Sequence, residues 1–90
     1  MEQTVPLYED RVLTALGMTI CSIRMEKHMT QEELSGLAEI ARTHLAAIES
    51  GRKKPRLDTL WNIAYALRVP LSDIVLEAEG TLNPHNREVG

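Results

Sequence analysis

Between Asp10 and Glu77 the apolar residues recur at intervals of three and four, and no stretch alternates with period two over more than a few residues. The chain must therefore fold as helices that each bury one face, and β structure is required nowhere. Leu13, Leu16, Gly17, Ile20 and Ile23 predict a first helix from Asp10 to Lys27. In Thr30-Gln31-Glu32-Glu33 the threonine hydroxyl can accept from the backbone N–H of Glu33 while the Glu33 carboxylate reaches back to the threonine N–H. This capping box opens a short second helix at Gln31 that buries Leu34 and Ala38. A third helix, Arg42 to Ser50, carries Leu45 and Ile48 on one side and ends where Gly51 can turn left-handed. Pro55 blocks any continuation through the loop 51–56, and Leu57, Leu60, Ile63, Ala64 and Leu67 form a fourth helix that closes before Pro70. Leu71, Ile74 and Val75 predict the inward face of a fifth, reaching Glu77 and ended by Gly80.

The last ten residues, with Asn83, Pro84 and Asn86, offer too little apolar surface to offset the entropy of ordering them. The predicted division is an N-terminal extension over 1–9, a folded domain over 10–78 and a disordered acidic tail over 79–90. Ninety residues support one hydrophobic core and not two. With one Trp, two Tyr and no Phe, that core is built from Leu, Ile, Ala and Met, which favours helix. The net charge of -3 conceals an uneven distribution: residues 42–56 carry +4, from Arg42, Arg52, Lys53, Lys54 and Arg56 against Glu49, while both ends are acidic. The single cysteine, Cys21, cannot form an intrachain disulfide, and no run of apolar residues reaches membrane-spanning length. The expectation is a soluble protein of a reducing compartment, with no membrane contact.

Four groups of residues make the pattern recognisable: Leu16-Gly17-x-x-Ile20-x-x-Ile23-Arg24, Met29-Thr30-Gln31-Glu32-Glu33-Leu34, Ile48-Glu49-x-Gly51-x-x-x-Pro55, and Leu60-x-x-Ile63-Ala64-x-Ala66-Leu67. Over residues 13–76 the chain resembles the phage Cro and repressor type (XRE) helix-turn-helix family. The resemblance implies an all-α, compact five-helix, lambda-repressor-like DNA-binding domain, with the helix-turn-helix made by helices 2 and 3. A major groove about 12 Å wide admits one helix, so a rigid two-helix corner can fix the second of the pair against base edges. The implied base contacts are Arg42, Thr43, His44, Ala46 and Ala47, with Leu45 and Ile48 turned into the core. Arg42 is the strongest base reader, because its planar fork can bond guanine O6 and N7 together; a phosphate contact is its alternative role. Gln31 matches a family glutamine that holds a phosphate, and Arg52, Lys53, Lys54 and Arg56 lie where the family grips the strands. Arg24 and Glu49 occupy positions that the family pairs in a largely buried ion pair.

The chain also departs from the family pattern. Glu39 stands where the turn usually has glycine, and Ala41 where a serine or threonine often opens the reading helix. A positive φ at Glu39 would cost about 1–2 kcal/mol, and the missing cap about 1 kcal/mol. Ser35 replaces the frequent small alanine, Gly36 weakens the second helix and Leu37 occupies a usually polar position, so a loose corner is expected.

Catalysis and cofactors find no support in the residues. No neighbour of His28, His44 or His85 at helical spacing suggests a designed metal site, and no Ser-His-Asp set, glycine-rich phosphate cradle or Gly-x-Ser-x-Gly appears. Cys21 reads as a small buried or half-buried thiol, with a redox sensor as the alternative. Trp61, Tyr65 and Leu76 flank the predicted core stripes and are candidates for a homodimer interface, since a palindromic operator with half-sites about 34 Å apart demands two copies. The alternative for Trp61 is packing within its own chain. The function expected is a sequence-specific DNA-binding transcriptional regulator, a repressor, acting as a homodimer on double-stranded DNA. The rival is an antitoxin-like or adaptor module whose main ligand is a protein partner.

Overall fold

A computed structural model describes the backbone of residues 4–82 and the side chains of residues 10–82. Five helices follow one another: α1 (Thr4–Glu26), α2 (Gln31–Ala38), α3 (Arg42–Glu49), α4 (Leu57–Leu67) and α5 (Leu71–Leu82). α1 packs along α5 and against α3, while α2 packs on α3 and α4. Ile20, Leu34, Leu45, Ile48, Ile63, Leu67 and Ile74, drawn from all five helices, meet in the centre with no side chain exposed beyond 1%. Burying each such side chain stabilises the fold by about 1.5–3 kcal/mol.

Local chemistry sets the helix ends. The Thr30 hydroxyl accepts from the Glu33 N–H at 3.0 Å, and the Thr30 N–H donates to Glu33 Oε1 at 2.9 Å, which completes the capping box. Ala41 opens α3 with no side-chain cap. Gly17 lies in α1 directly against α3, where a Cβ would sit 2.4 Å from the carbonyl oxygen of Ile48. No larger residue fits without prising the two helices apart.

Two elements differ from the expectation. α1 begins at Thr4, so the boundary read at residue 9 falls inside a helix. α5 passes through Glu79 and Gly80 to Leu82, so neither Gly80 nor the boundary at residue 78 ends it; residues 83–90 of the expected tail lie outside the described residues. The reason is tertiary: Gly80 is buried, and Thr81 and Leu82 border a shallow groove with Asp10, Thr14 and Met18 of α1. Packing there outweighs the ~1 kcal/mol that glycine costs a helix. The inward face of α5 is Leu71, Ile74 and Ala78, while Val75 is 38% exposed and outside the core.

His28, Glu39 and Arg68 take left-handed backbone angles, with φ of 59°, 61° and 63°. Each follows a helix end where glycine is the usual choice. Glu39 is the turn between α2 and α3, and its N–H closes α2 on the carbonyls of Ser35 and Gly36. The strain anticipated there is present. Glu39→Gly is expected to stabilise the domain by about 1 kcal/mol, raising the thermal midpoint by about 4–8 °C; calorimetry on the two proteins checks it.

Candidate nucleic-acid interface

α3 is eight residues long, and its chemistry divides around its axis. Leu45, Ile48 and Glu49 are buried, Arg42 and Thr43 are exposed, and His44, Ala46 and Ala47 are half-buried. At 100° per residue, Thr43 and Ala47 form the outermost ridge, flanked by His44 and Ala46. All five residues read from the sequence as base contacts therefore retain solvent-accessible surface, and the two alanines keep the ridge low. A low ridge lets a helix approach a groove floor closely.

The inner side of α3 is held by more than apolar contact. Arg24 on α1 donates from Nε to Glu49 Oε2 at 2.8 Å and from Nη2 to Glu49 Oε1 at 3.1 Å. Its Nη1 donates to the carbonyl oxygen of Met29 at 2.7 Å, pinning the turn before α2. Nη2 also lies 3.6 Å from Cys21 Sγ. Gln31, the first residue of α2, donates from Nε2 to Glu49 Oε1 at 3.0 Å. One carboxylate thus ties α1, α2 and α3 together, with side-chain exposure of 13% for Arg24 and 5% for Glu49. The hydrogen bond to Glu49 raises the Arg24 pKa above its ordinary value against a smaller opposing effect of burial, so the guanidinium stays charged wherever the protein folds. The contact between Gln31 and Glu49 was not anticipated, because residues 18 apart on different helices carry no local signal.

The loop after α3 begins with Gly51, at φ 81°, where an added Cβ would lie 3.2 Å from Thr14 Cα. Arg52, Lys53, Lys54 and Arg56 follow, all exposed. Arg52 donates from Nε to Ser50 Oγ at 2.9 Å, which directs it back along α3. Arg56 pairs with Asp58 at 3.3 Å, with side-chain exposures of 83% and 67%. So exposed a pair gives way readily to a competing anion.

On the molecule's α4–α5 side, Trp61 and Tyr65 are 61% and 83% exposed and do not pack into the core. They line a shallow groove with Val69, Pro70, Leu71 and Val75. Leu76 is exposed too, but Val75 is the α5 side chain that shares this groove. Leu37 of α2 borders an adjoining groove with Tyr65. Among the described residues no helix is long and apolar enough to cross a membrane, and no three His, Cys, Asp or Glu side chains gather as a metal site requires.

Comparison with known proteins agrees with this geometry. The sequence profile of the helix-turn-helix family matches residues 22–74. The immunity repressor protein of Bacillus phage phi105 is 42% identical over 62 residues, covering 69% of this chain and 43% of that protein. This chain therefore spans less than half the length of that relative. The crystal structure of the clp gene regulator ClgR from C. glutamicum superposes with a TM-score of 0.75 at 30% identity, covering 78% of this chain and 91% of that one. The restriction-modification controller protein C.Esp1396I, solved as a tetramer in complex with its natural 35 base-pair operator, superposes with a TM-score of 0.67 at 28% identity, covering 74% of this chain and 93% of that one.

The Arg24–Glu49 pair predicts a stability effect. Glu49→Ala leaves the guanidinium largely buried without its counter-charge, and is expected to lower unfolding free energy by about 3–5 kcal/mol. Urea denaturation measures this, and an unchanged midpoint would contradict it.

Proposed function

The chain belongs to the XRE-type helix-turn-helix family of DNA-binding transcription regulators, and on that premise we propose that it is a repressor that binds a palindromic operator as a homodimer, with α3 in the major groove. The observation that carries the reading is the two-sided build of α3. Leu45, Ile48 and Glu49 anchor it to the rest of the domain, and Arg42, Thr43, Ala46 and Ala47 remain accessible beside a cationic loop in an otherwise acidic chain.

In this reading Arg42 bonds guanine, Thr43 and the two alanines meet thymine methyl groups, and His44 donates to a base or phosphate. Gln31, Arg52, Lys53, Lys54 and Arg56 hold the strands on either side, and binding draws Arg56 away from Asp58. Trp61 and Tyr65, with Val75 and the neighbouring Leu76, provide the apolar surface for the second copy. Their exposed rings bury large areas at small cost in conformational entropy, which is what an anchoring residue needs. The operator-bound tetramer of C.Esp1396I supports an oligomeric arrangement on DNA for a related domain.

Selection from a random duplex library tests the proposal. The expected product is a palindrome with one guanine per half-site that matters most, and Arg42→Ala should lose about 1–3 kcal/mol of discrimination at that guanine while keeping overall phosphate affinity. Uniform weakening across sequences would make Arg42 a phosphate contact instead. With roughly 6–8 phosphates neutralised per dimer, log K should fall against log salt with a slope of about -5 to -7. A chain that selected no duplex and instead bound a protein stoichiometrically through the Trp61–Tyr65 groove would favour the adaptor reading.

A further inference from the structure

We propose that Glu49 is a positioning residue for DNA binding, acting through Gln31: it holds the Gln31 amide by one N–H and leaves the second N–H to donate to a backbone phosphate. The inference rests on the reading of Gln31 as a phosphate contact given above and supplies what that reading lacks, a reason for the amide to present its donor end.

A glutamine amide has a donor end and an acceptor end of nearly the same shape. Unrestrained, it can rotate by half a turn and turn its carbonyl oxygen toward an approaching phosphate, which repels it. Glu49 removes that freedom. A carboxylate only accepts, so the group facing Glu49 Oε1 at 3.0 Å is the Gln31 nitrogen. The carboxylate cannot turn away either, because Arg24 grips both its oxygens, Nε on Oε2 at 2.8 Å and Nη2 on Oε1 at 3.1 Å. Each nitrogen of the Arg24 fork is already engaged, Nη1 with the carbonyl of Met29. The buried cation is thus committed inside the domain, and its effect reaches the surface through a neutral amide that carries one hydrogen more than Glu49 uses.

Neutrality gives the proposal a signature that separates it from the basic loop. Losing a Lys or Arg contact releases fewer counterions and flattens the salt dependence by about one unit of slope, whereas losing an amide contact lowers affinity at every salt concentration alike. Because Glu49 variants are expected to destabilise the fold by about 3–5 kcal/mol, the test uses Gln31. Gln31→Met keeps most of the side-chain length and removes the donors.

In nuclear magnetic resonance of the full chain without DNA, one Gln31 side-chain amide proton is expected to be shifted downfield and slow to exchange with water. The second should become protected only when the library-selected duplex is added. Gln31→Met should bind that duplex roughly 10–100-fold more weakly, with the wild-type salt slope and a melting temperature within a few degrees of wild type. Two amide protons exchanging like those of a free glutamine in the unbound protein would overturn the Glu49 lock. Wild-type affinity in Gln31→Met, or a slope reduced by about one, would overturn the neutral phosphate contact. If the wild-type chain bound no duplex in a salt-dependent way, the regulator reading would fail and take this inference with it, a result distinct from either of the others because the spectrum of the unbound protein reports the Glu49 hydrogen bond by itself.

Discussion

The geometry of the proposed DNA-binding face depends on one buried carboxylate. Glu49 sits on the inner side of α3 and accepts hydrogen bonds from Arg24 on α1 and Gln31 on α2, so the three helices converge on two oxygen atoms. A side chain 5% exposed would be costly to ionise alone. Paired with a guanidinium in a two-bond fork, it becomes a directional clamp that apolar packing cannot replace. Leu45 and Ile48 choose the face of α3 that meets the core, and the fork adds a directional tie at the C-terminal end of the helix. Gly17 adds the distance: without a Cβ, α1 comes close enough to the carbonyls of Ile48 and Glu49 for Arg24 to reach its partner.

Against that rigid inner clamp, the connections are strained. Non-glycine residues occupy left-handed positions after α1, α2 and α4, and α3 starts without a side-chain cap. The domain keeps its stability in the core and the ion pair, and spends some of it at the corner between α2 and α3. The mild strain lies in the corner itself, since the core residues Leu45 and Ile48 hold the base of α3.

The helices were legible because each rule involved acts over a few residues. The capping box at Thr30, the left-handed turn at Gly51 and the closure of α4 before Pro70 depend on neighbours within one helical turn. The α5 end was misread for the opposite reason. Gly80 and a polar tail argue for termination locally, yet the buried position of Gly80 and the approach of Leu82 to α1 extend the helix by tertiary contact. Val75 was placed inward by spacing that equally suits Ala78, and only the rotation of α5 against α1 distinguishes them. For the candidate site, the accessible residues of α3 followed from the spacing of Leu45 and Ile48. The Arg56–Asp58 pair, two residues apart, could have been read as well, while the Gln31–Glu49 contact could not.

What the amino-acid order determined by itself is the five-helix framework and most of the buried stripes of the first four helices, because hydrophobic period, capping and turn chemistry are properties of adjacent residues. Tertiary structure alone decided how far α5 extends past Gly80, which side of α5 is left bare beside Trp61 and Tyr65, and that Gln31 shares the carboxylate of Glu49 with Arg24. Each of these is set by distances between segments remote in the chain, and such distances exist only once the core has closed.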